Sequence, residues 1–501
     1  MWLSEKQKKA LVGADEVASG YPIPTRMITN GEFMPIEQTE DQKRVEREIE
    51  SLSETFASKN HMPRRSFLVS AAGMAASFLA MNRVFGDFFN VSTAEAADLG
   101  EALQVRDRYR DQMIVDSQLH FVRSDFRPSE SLIALGEYAK RWNPILEKEG
   151  ITNDRFKLDN FAKEVFFDSD TKIGLISAAP AEHGDNVFLD NAALAATRHA
   201  FNRVSESRRM LCHSVIWPGQ DGWLDAIDEA IEIHKPDGWK GYTLGDPFVN
   251  SKYPWRMDDE KMMYPAYEKM VRSGIRTVCV HKGLLPDNYK DIFDHWHHAK
   301  VDDVGKAAKD WPELTFVIFH SGFRPLLSSP EPELQRFEKE QRIDWITDLA
   351  EIPETYGVNN VYAELGTTFG SCAITHPRLA AAILGQLIQK MGSDRVIWGT
   401  DSVWYGSPQW QIEALRRIEI PDDMQNAHGF APLGAADGPV KQAIFSGNAA
   451  RVFRLENDIA ADGAWRKDRL SAVKADYLAN GGTPSNTFYG FVQKLRSEGA
   501  R

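Results

Sequence analysis

Cysteine is scarce in this sequence. Among 501 residues there are three, Cys212, Cys279 and Cys372, and they lie far apart within apolar runs. An odd, widely spaced set argues against a disulfide framework, and the absence of a Cys-x-x-Cys pair argues against a zinc thiolate site. Because free cysteine is among the most often buried residue types, we expect all three in the core.

The sequence also lacks an excess of positive charge. It has 59 Lys and Arg against 72 Asp and Glu, a formal net charge of −13, and no basic stripe. This balance argues against nucleic acid as the main partner. The composition, 43% hydrophobic and 26% charged, is that of a chain that folds over most of its length.

No apolar run near the N-terminus has the full length of a typical membrane span, but one follows two arginines. PRRSFL lies at 63–68, an uncharged run extends from Ser66 to Met81, and Ala94-Glu95-Ala96 resembles a cleavage site. This order resembles a twin-arginine signal after an unusually long leader. We therefore expect a polar extension over 1–60, a signal region over 61–97, the twin-arginine export machinery as a partner and a periplasmic location. If the run is instead a buried or peripheral helix, we expect a cytoplasmic protein.

From residue 113 onward, eight apolar runs of strand length alternate with amphipathic helical patterns. Continuous rather than alternating hydrophobic strands are typical of a parallel sheet covered on both faces. No Gly-rich phosphate loop follows the first run, which argues against an open doubly wound sheet. The pattern predicts an α/β fold, a closed (β/α)₈ TIM barrel over 98–456, and a C-terminal helical segment over 457–501. The runs lie at 113–121, 172–179, 210–218, 238–244, 277–283, 315–322, 361–367 and 396–402.

Polar side chains stand at or near the C-terminal ends of six of these eight runs. In a (β/α)₈ barrel those ends converge on one mouth, where the active site lies. Packing does not account for so many polar groups, because a buried polar group is unfavourable unless it is paired. The residues are Gln118, His120, Lys240, His281, His320, Glu364 and Asp401.

Several segments in this part of the chain resemble the amidohydrolase-related family, in the branch that includes aminocarboxymuconate-semialdehyde decarboxylase. They occur in the order that the family has and span residues 113–455. The segments are WRMDDEKMMYPAYEKM before the fifth strand, Pro312-Glu313-Leu314 through His320-Ser321-Gly322, DRVIWGTDS at 394–402 and AIFSGNAARVFRL at 443–455.

The resemblance implies one divalent metal ion at the mouth. The family opens with His-x-His or Glu-x-His on its first strand, whereas this sequence has Gln118-Leu119-His120. Residues two apart on a strand share one side, so Gln118 and His120 can share a centre, although an amide oxygen is a weak ligand. His281 and Asp401 match the family's remaining ligands. We expect Zn²⁺, with Mn²⁺ second because the share of oxygen ligands is high.

His320 matches the family's sixth-strand histidine, which implies a role in positioning or protonating the substrate. Asp401 would also take a proton from water. The implied function is a metal-dependent hydrolase for a small carboxylated or cyclic substrate. A nonoxidative decarboxylase of the same family is the alternative, and a metal-free barrel that only binds a ligand is a second alternative, suggested by Gln118. The resemblance also implies a homodimer.

Other polar residues are candidates for contact with substrate. Lys240 is expected to contact a substrate carboxylate or to form a structural ion pair, and Glu364 is expected to contact substrate at the mouth or to pair with Lys240. Arg324, like Arg123 and Trp404, follows a strand end and is a further candidate for contact with substrate. The histidines of DHWHHAK at 294–300, His295, His297 and His298, have the wrong spacing for three ligands on one α-helical face, where neighbours are three or four residues apart. We therefore expect those histidines to form a solvated helix-loop segment.

Overall fold

Eight parallel strands form one sheet whose first and last strands meet. The computed structural model describes residues 11–13, 21–25, 38–123, 156–184, 187–246, 251–325, 328–404, 406–460, 463–482 and 491–493. The strands are β1 (Val115–Leu119), β2 (Ile173–Ile176), β3 (Met210–Val215), β4 (Gly238–Tyr242), β5 (Thr277–His281), β6 (Thr315–Phe319), β7 (Val361–Glu364) and β8 (Val396–Ile397).

The sheet closes because the chain after β8 pairs with β1. Strands β1 to β8 are neighbours in sequence order. The amide of His120 donates to the carbonyl of Ser402 at 2.7 Å, and the amide of Asp401 donates to the carbonyl of Gln118 at 3.0 Å. The predicted (β/α)₈ barrel is confirmed, and its mouth lies at the C-terminal ends of the strands.

Helices follow every barrel strand and also precede the barrel. The α-helices are α1 (Glu40–Lys59), α2 (Arg64–Leu68), α3 (Ala71–Phe85), α4 (Thr93–Ala97), α5 (Leu99–Tyr109), α6 (Leu158–Ala162), α7 (Asn191–Ser205), α8 (Trp223–Glu229), α9 (Met263–Ser273), α10 (Tyr289–Ile292), α11 (Val304–Asp310), α12 (Glu331–Glu340), α13 (Ile346–Tyr356), α14 (Thr368–Ala373), α15 (Pro377–Met391), α16 (Gln409–Arg417), α17 (Asp422–His428), α18 (Pro439–Gln442), α19 (Asn448–Phe453) and α20 (Arg469–Ala479). A short 3₁₀ helix lies at Trp296–Ala299, between α10 and α11.

The strands bury both of their faces, as the continuous apolar runs predict. Val115, Leu175, Val317 and Ile397 belong to one buried cluster that Phe453 joins. All three cysteines are free and buried, as expected. Burial raises the pKa of Cys212 and of Cys372 to about 12, so these thiols stay protonated.

The segment interpreted as an export signal is folded in this structure. Phe67 and Phe78, both within the uncharged run, are fully buried. Further on, the amide of Asn90 donates to the carbonyl of Arg417 at 2.7 Å, which attaches this segment to α16. No described helix is long and apolar enough to span a membrane. The signal and the periplasmic location stay predictions, because this packing does not test transport.

The two ends of the chain are described only in part. Within the predicted polar extension, residues 1–10, 14–20 and 26–37 lie outside the described residues, and so does much of the predicted C-terminal segment beyond 482. Residues 11–13 and 491–493 form a short antiparallel pair. Helix α20 is attached to the barrel by Asp468, whose carboxylate binds the guanidinium of Arg209 at 2.6 Å.

Candidate active site

Five predicted site residues meet at the barrel mouth. The Nε2 atom of His120 lies 3.0 Å from Oδ1 of Asp401. On the other side, Nε2 of His320 lies 3.0 Å from Nδ1 of His281. The side-chain nitrogen of Gln118 stands between these pairs, 3.0 Å from Oδ1 of Asp401 and 3.4 Å from Nε2 of His320. The strand ends therefore gather residues from the first, fifth, sixth and eighth strands of the barrel.

The backbone turns sharply where three strands end. His320, Thr367 and Asp401 have positive φ angles of 64°, 58° and 60°. Left-handed backbone is unfavourable for residues other than glycine, most of all for a β-branched threonine, so the surrounding structure must hold it. Here the turns bring His320 and Asp401 to the mouth immediately after β6 and β8.

The hydrogen bonds of two histidines define their tautomers. Nδ1 of His120 lies 3.0 Å from the carbonyl oxygen of Ser177, and Nδ1 of His320 lies 2.8 Å from that of Gly366. A carbonyl oxygen only accepts, so each Nδ1 carries the hydrogen. In the neutral rings the lone pair is then on Nε2. Nε2 of His120 lies 3.0 Å from Oδ1 of Asp401, a contact that requires a proton or a bound cation between the two atoms. Metal-binding histidines are held in this way, with the distal ring N–H donated to a carbonyl or carboxylate.

The charges at the mouth favour a cation. Burial alone would raise the pKa of Asp401, but the hydrogen bond and charge of His120 outweigh it and hold that pKa well below its usual range. A second oxygen of Asp401 accepts the hydroxyl of Thr367 at 2.6 Å. Burial lowers the pKa of His320 to about 4 and that of His281 well below its ordinary value. At neutral pH the mouth therefore combines an ionised carboxylate with the neutral imidazoles of His281 and His320.

The donor set has the chemistry that a divalent metal ion requires, with Gln118 as its weakest member. Neighbouring side chains of the set approach to 3.0–3.4 Å, but among the described residues no three of its histidine and aspartate ligand atoms all lie within 4.8 Å of one another, so binding of an ion requires these side chains to draw closer together. The Oε1 atom of Gln118 is buried and has no hydrogen-bond partner. One rotation of the amide exchanges its nitrogen and oxygen, which would place the oxygen between Asp401 and His320. With that rotation, all members of the set offer lone pairs.

Two residues predicted to contact substrate lie deeper in the barrel. Lys240 is fully buried, and its ammonium group has no hydrogen-bond partner and lies 3.3 Å from the ring centroid of Phe319. Burial lowers the pKa of Lys240 to about 7. Glu364 is also fully buried, and its carboxylate accepts the amides of His320 at 3.1 Å and Gly366 at 2.7 Å. Burial raises the pKa of Glu364 to about 8. Among the described contacts no ion pair joins the two, and their roles toward substrate stay predictions.

The remaining candidates divide into paired arginines and an aromatic wall. Arg324 pairs with Glu333 at 3.3 Å, and Arg123 pairs with Asp190 at 3.0 Å. Trp404 stacks on His120, with ring centroids 5.7 Å apart and planes 21° apart. The rings of Phe156 and Phe188 lie 5.2 and 6.2 Å from that of Trp404. These three rings, Trp404, Phe156 and Phe188, form the aromatic wall of the mouth.

Some supporting residues were not among the predicted site residues. Asp116 accepts the hydroxyl of Thr400 at 2.5 Å and the amide of Gln118 at 3.2 Å, and thereby ties the start of β1 to the chain after β8. Burial raises the pKa of Asp116 to about 7. Asp116, Gln118 and His120 stand two residues apart on one strand, and this spacing could have indicated that Asp116 lies on the same side as the site residues. Thr367, which orients Asp401, follows a glycine in an ordinary-looking segment and carried no signal.

Comparisons with known proteins give one family match and several similar solved structures. A model of the amidohydrolase family matches residues 115–455. Among solved structures, the chain is similar to an uncharacterized TIM-barrel protein from Bordetella bronchiseptica, at 14% identity and a TM-score of 0.42, over 68% of this chain and 98% of that one. It is also similar to a 5-carboxyvanillate decarboxylase from Sphingomonas paucimobilis, at 13% identity and a TM-score of 0.38, over 68% and 99% of the two chains.

A dihydroxybenzoic acid decarboxylase from Polaromonas sp. JS666, solved with bound manganese and an inhibitor, is similar at 15% identity and a TM-score of 0.39. That similarity covers 70% of this chain and 99% of the decarboxylase. No curated protein matches the chain. At these identities and scores, the solved structures carry no argument about activity.

Proposed function

Because the chain belongs to the amidohydrolase family, with a match over residues 115–455, we propose that its barrel mouth binds one divalent metal ion and catalyses hydrolysis of a small carboxylated or cyclic substrate. The observation that carries the proposal is the pair of fixed tautomers. His120 and His320 each donate Nδ1–H to a backbone carbonyl and direct Nε2 at the neighbourhood of an ionised Asp401.

His120, His281 and Asp401 would hold the ion, with the amide oxygen of Gln118 as a weaker fourth ligand. Imidazole nitrogen with carboxylate oxygen favours Zn²⁺, and the additional amide oxygen makes Mn²⁺ the second choice. Such an ion polarises a carbonyl and lowers the pKa of water toward neutrality.

The chain's own groups position the reactants and move a proton. His320 accepts a proton from the attacking water at Nε2, because Nδ1–H is held by Gly366 at 2.8 Å. The same Nε2 atom then returns that proton to the leaving group, so hydrolysis consumes one water and leaves the ring unchanged. Thr367 holds one oxygen of Asp401 at 2.6 Å and leaves the other directed at the centre. The aromatic wall excludes water from the apolar side of the substrate.

A nonoxidative carboxy-lyase is the second candidate, and the aromatic wall favours it. The flat face of Trp404, flanked by Phe156 and Phe188, suits a planar aromatic acid. In that reaction Nε2 of His320 would take up a proton from solvent and deliver it to the ring carbon that loses carbon dioxide. The bond to the carboxylate breaks, its electron pair forms the new C–H bond, and no water is consumed.

Metal analysis of the purified protein tests the proposal. We expect about one Zn²⁺ or Mn²⁺ per chain in the wild type, its loss in Asp401→Ala, and tighter binding in Gln118→His, because imidazole is the stronger ligand. Asp437→Ala, at an exposed aspartate, is the matched control and should keep the ion. A wild-type protein without metal, unchanged by Asp401→Ala, would contradict the proposal and favour a barrel that only binds its ligand.

Isotopic labelling then separates the two reactions. With lactones and aromatic acids as test substrates in H₂¹⁸O, a hydrolase places labelled oxygen in its product. A carboxy-lyase instead releases carbon dioxide, takes up a solvent hydrogen at carbon and incorporates no labelled oxygen into the remaining product.

A further inference from the structure

Three histidines meet on the loop that follows β5, outside the barrel mouth. His295, His297 and His298 each offer a ring nitrogen, and these atoms all lie within 4.8 Å of one another. The ring centroids of His297 and His298 are 4.6 Å apart, and that of His295 lies 5.7 Å from His298. Among the described residues, no other set of three histidine, cysteine or acidic side chains brings its ligand atoms this close together.

On an α-helix, His295 and His298 would be neighbours, because they are three residues apart, whereas His297 would not share their face. The chain instead forms a 3₁₀ helix at Trp296–Ala299, with His295 as its first flanking residue. A 3₁₀ helix has three residues per turn, so His295 and His298 lie one above the other. The ring of His297 lies beside that of His298, with centroids 4.6 Å apart. The exposure of His295 and His297 agrees with the predicted solvated helix-loop segment, and the approach of the three ring nitrogens is a feature that the sequence did not predict.

A buried lysine holds the backbone beneath this histidine cluster. Lys282 is fully buried, and its ammonium group donates to the carbonyl of His298 at 2.7 Å and to the carboxylate of Asp303 at 2.8 Å. The amide of Gly283 donates to the carbonyl of Ala299 at 2.8 Å. His295 and His297 are exposed, whereas His298 is half-buried. The loop thus presents accessible imidazoles on an anchored backbone, which limits the entropy lost when a ligand orders them.

We propose that His295, His297 and His298 bind a second divalent transition-metal ion, distinct from the ion at the mouth. Neutral imidazole suits Zn²⁺, Cu²⁺ and Ni²⁺, whereas Mg²⁺ and Ca²⁺ require oxygen ligands that this set lacks. Three protein nitrogens leave further positions to water. No residue of the histidine cluster belongs to the mouth, so each site can be removed without altering the ligands of the other.

Copper binding to the metal-stripped full-length protein tests this site. The Asp401→Ala background weakens metal binding at the mouth, and Cu²⁺ is the ion added for the spectra. We expect an electron paramagnetic resonance spectrum with nitrogen hyperfine coupling from imidazoles, and competition by Zn²⁺. Adding His295→Ala and His297→Ala should remove that signal and weaken Cu²⁺ binding at least about tenfold. His61→Asn, which removes an exposed histidine elsewhere, should leave both unchanged.

The outcomes separate the two metal sites. Copper binding and hyperfine coupling that persist after both cluster histidines are removed would overturn the proposal, as would an equal loss in His61→Asn. Circular dichroism checks that the variants fold. His297→Gln, which keeps a polar side chain at this exposed position, should reproduce the loss. Failure of the mouth is visible separately, as wild-type protein whose metal content does not respond to Asp401→Ala.

Discussion

At the scale of single residues, Gly399 leaves room for the carboxylate that joins two strand ends at the mouth. A Cβ added to Gly399 would lie 1.7 Å from Oε1 of Glu364. That carboxylate cannot move freely, because it accepts the amides of His320 and Gly366. We expect Gly399→Ala to lower the free energy of unfolding by about 2–3 kcal/mol, from overpacking and lost hydrogen bonds to a buried acceptor. Urea unfolding measures it.

Gly447→Ala is the matched control for this substitution. Its added Cβ would meet only the carbonyl oxygen of Gln442, at 3.8 Å, an ordinary contact. It should therefore leave the midpoint of urea unfolding nearly unchanged. If Gly399→Ala were as stable as this control, the carboxylate of Glu364 would not hold the turn after β6.

Residue positions at the mouth were predictable where the strand end alone decides them. His281 ends β5, and His320 and Asp401 follow β6 and β8 closely, so a barrel must bring them together. Depth within the barrel was not predictable in this way. Lys240 pairs with Cys279, one layer below the pair of Tyr242 and His281. Lys240 lies two residues before Tyr242 on the same strand. The sequence does not show with that accuracy where an apolar run ends, so it could not place Lys240 below the mouth.

At the scale of elements, the helices before the barrel form part of its packing. The rings of Phe78 and Phe89 lie 4.8 Å apart, and both are buried. Glu95 pairs with the guanidinium of Arg417 at 2.7 Å, with both side chains about nine-tenths buried. We expect the purified protein to retain residues 61–97, because cleavage after Ala96 would uncover these rings and separate this ion pair from its own chain. Intact mass spectrometry measures it.

The paired arginines provide the comparison for this prediction. Arg65 is exposed and Arg64 is half-buried, so changing both to lysine should alter neither the mass nor the stability of the protein. A mature chain that begins at Ala97, and that fails to form in the lysine variant, would instead establish the export signal. Sequence could not decide between the two, because a signal region and a buried helix both require an uncharged apolar run of this length.

At the scale of the whole molecule, the barrel was predictable and its attachments were not. Strand-helix repeats depend on local patterns, and they predict closure because eight parallel strands with covering helices have one dominant arrangement. The attachments depend on contacts between distant residues. Arg209 and Asp468 are 259 positions apart in the chain. Neither residue stands in a pattern that indicates its partner.

This ion pair attaches α20 to the barrel, and we expect its removal to affect the stability of the whole chain. The guanidinium of Arg209 binds both oxygens of Asp468, at 2.6 and 3.0 Å, and both side chains are buried. Asp468 also caps α20 through the amide of Ser471 at 2.8 Å. Asp468→Asn keeps a capping residue but leaves a buried arginine without its carboxylate, so it should lower the free energy of unfolding by about 3–5 kcal/mol at pH 7.

Acid should reduce the difference between wild type and Asp468→Asn. Burial alone would raise the pKa of Asp468, but the hydrogen bond from Arg209 outweighs it and lowers that pKa. Near pH 4 and below, the unfolded chain therefore binds a proton that the folded chain does not, so stability from this group is present above about pH 4 and is lost as pH falls. Urea unfolding at pH 7 and at about pH 3 measures the change. Asp98→Asn, at an exposed cap of α5, should show little difference at either pH. An undiminished difference for Asp468→Asn in acid would mean that packing around the side chain, and not its charge, attaches α20.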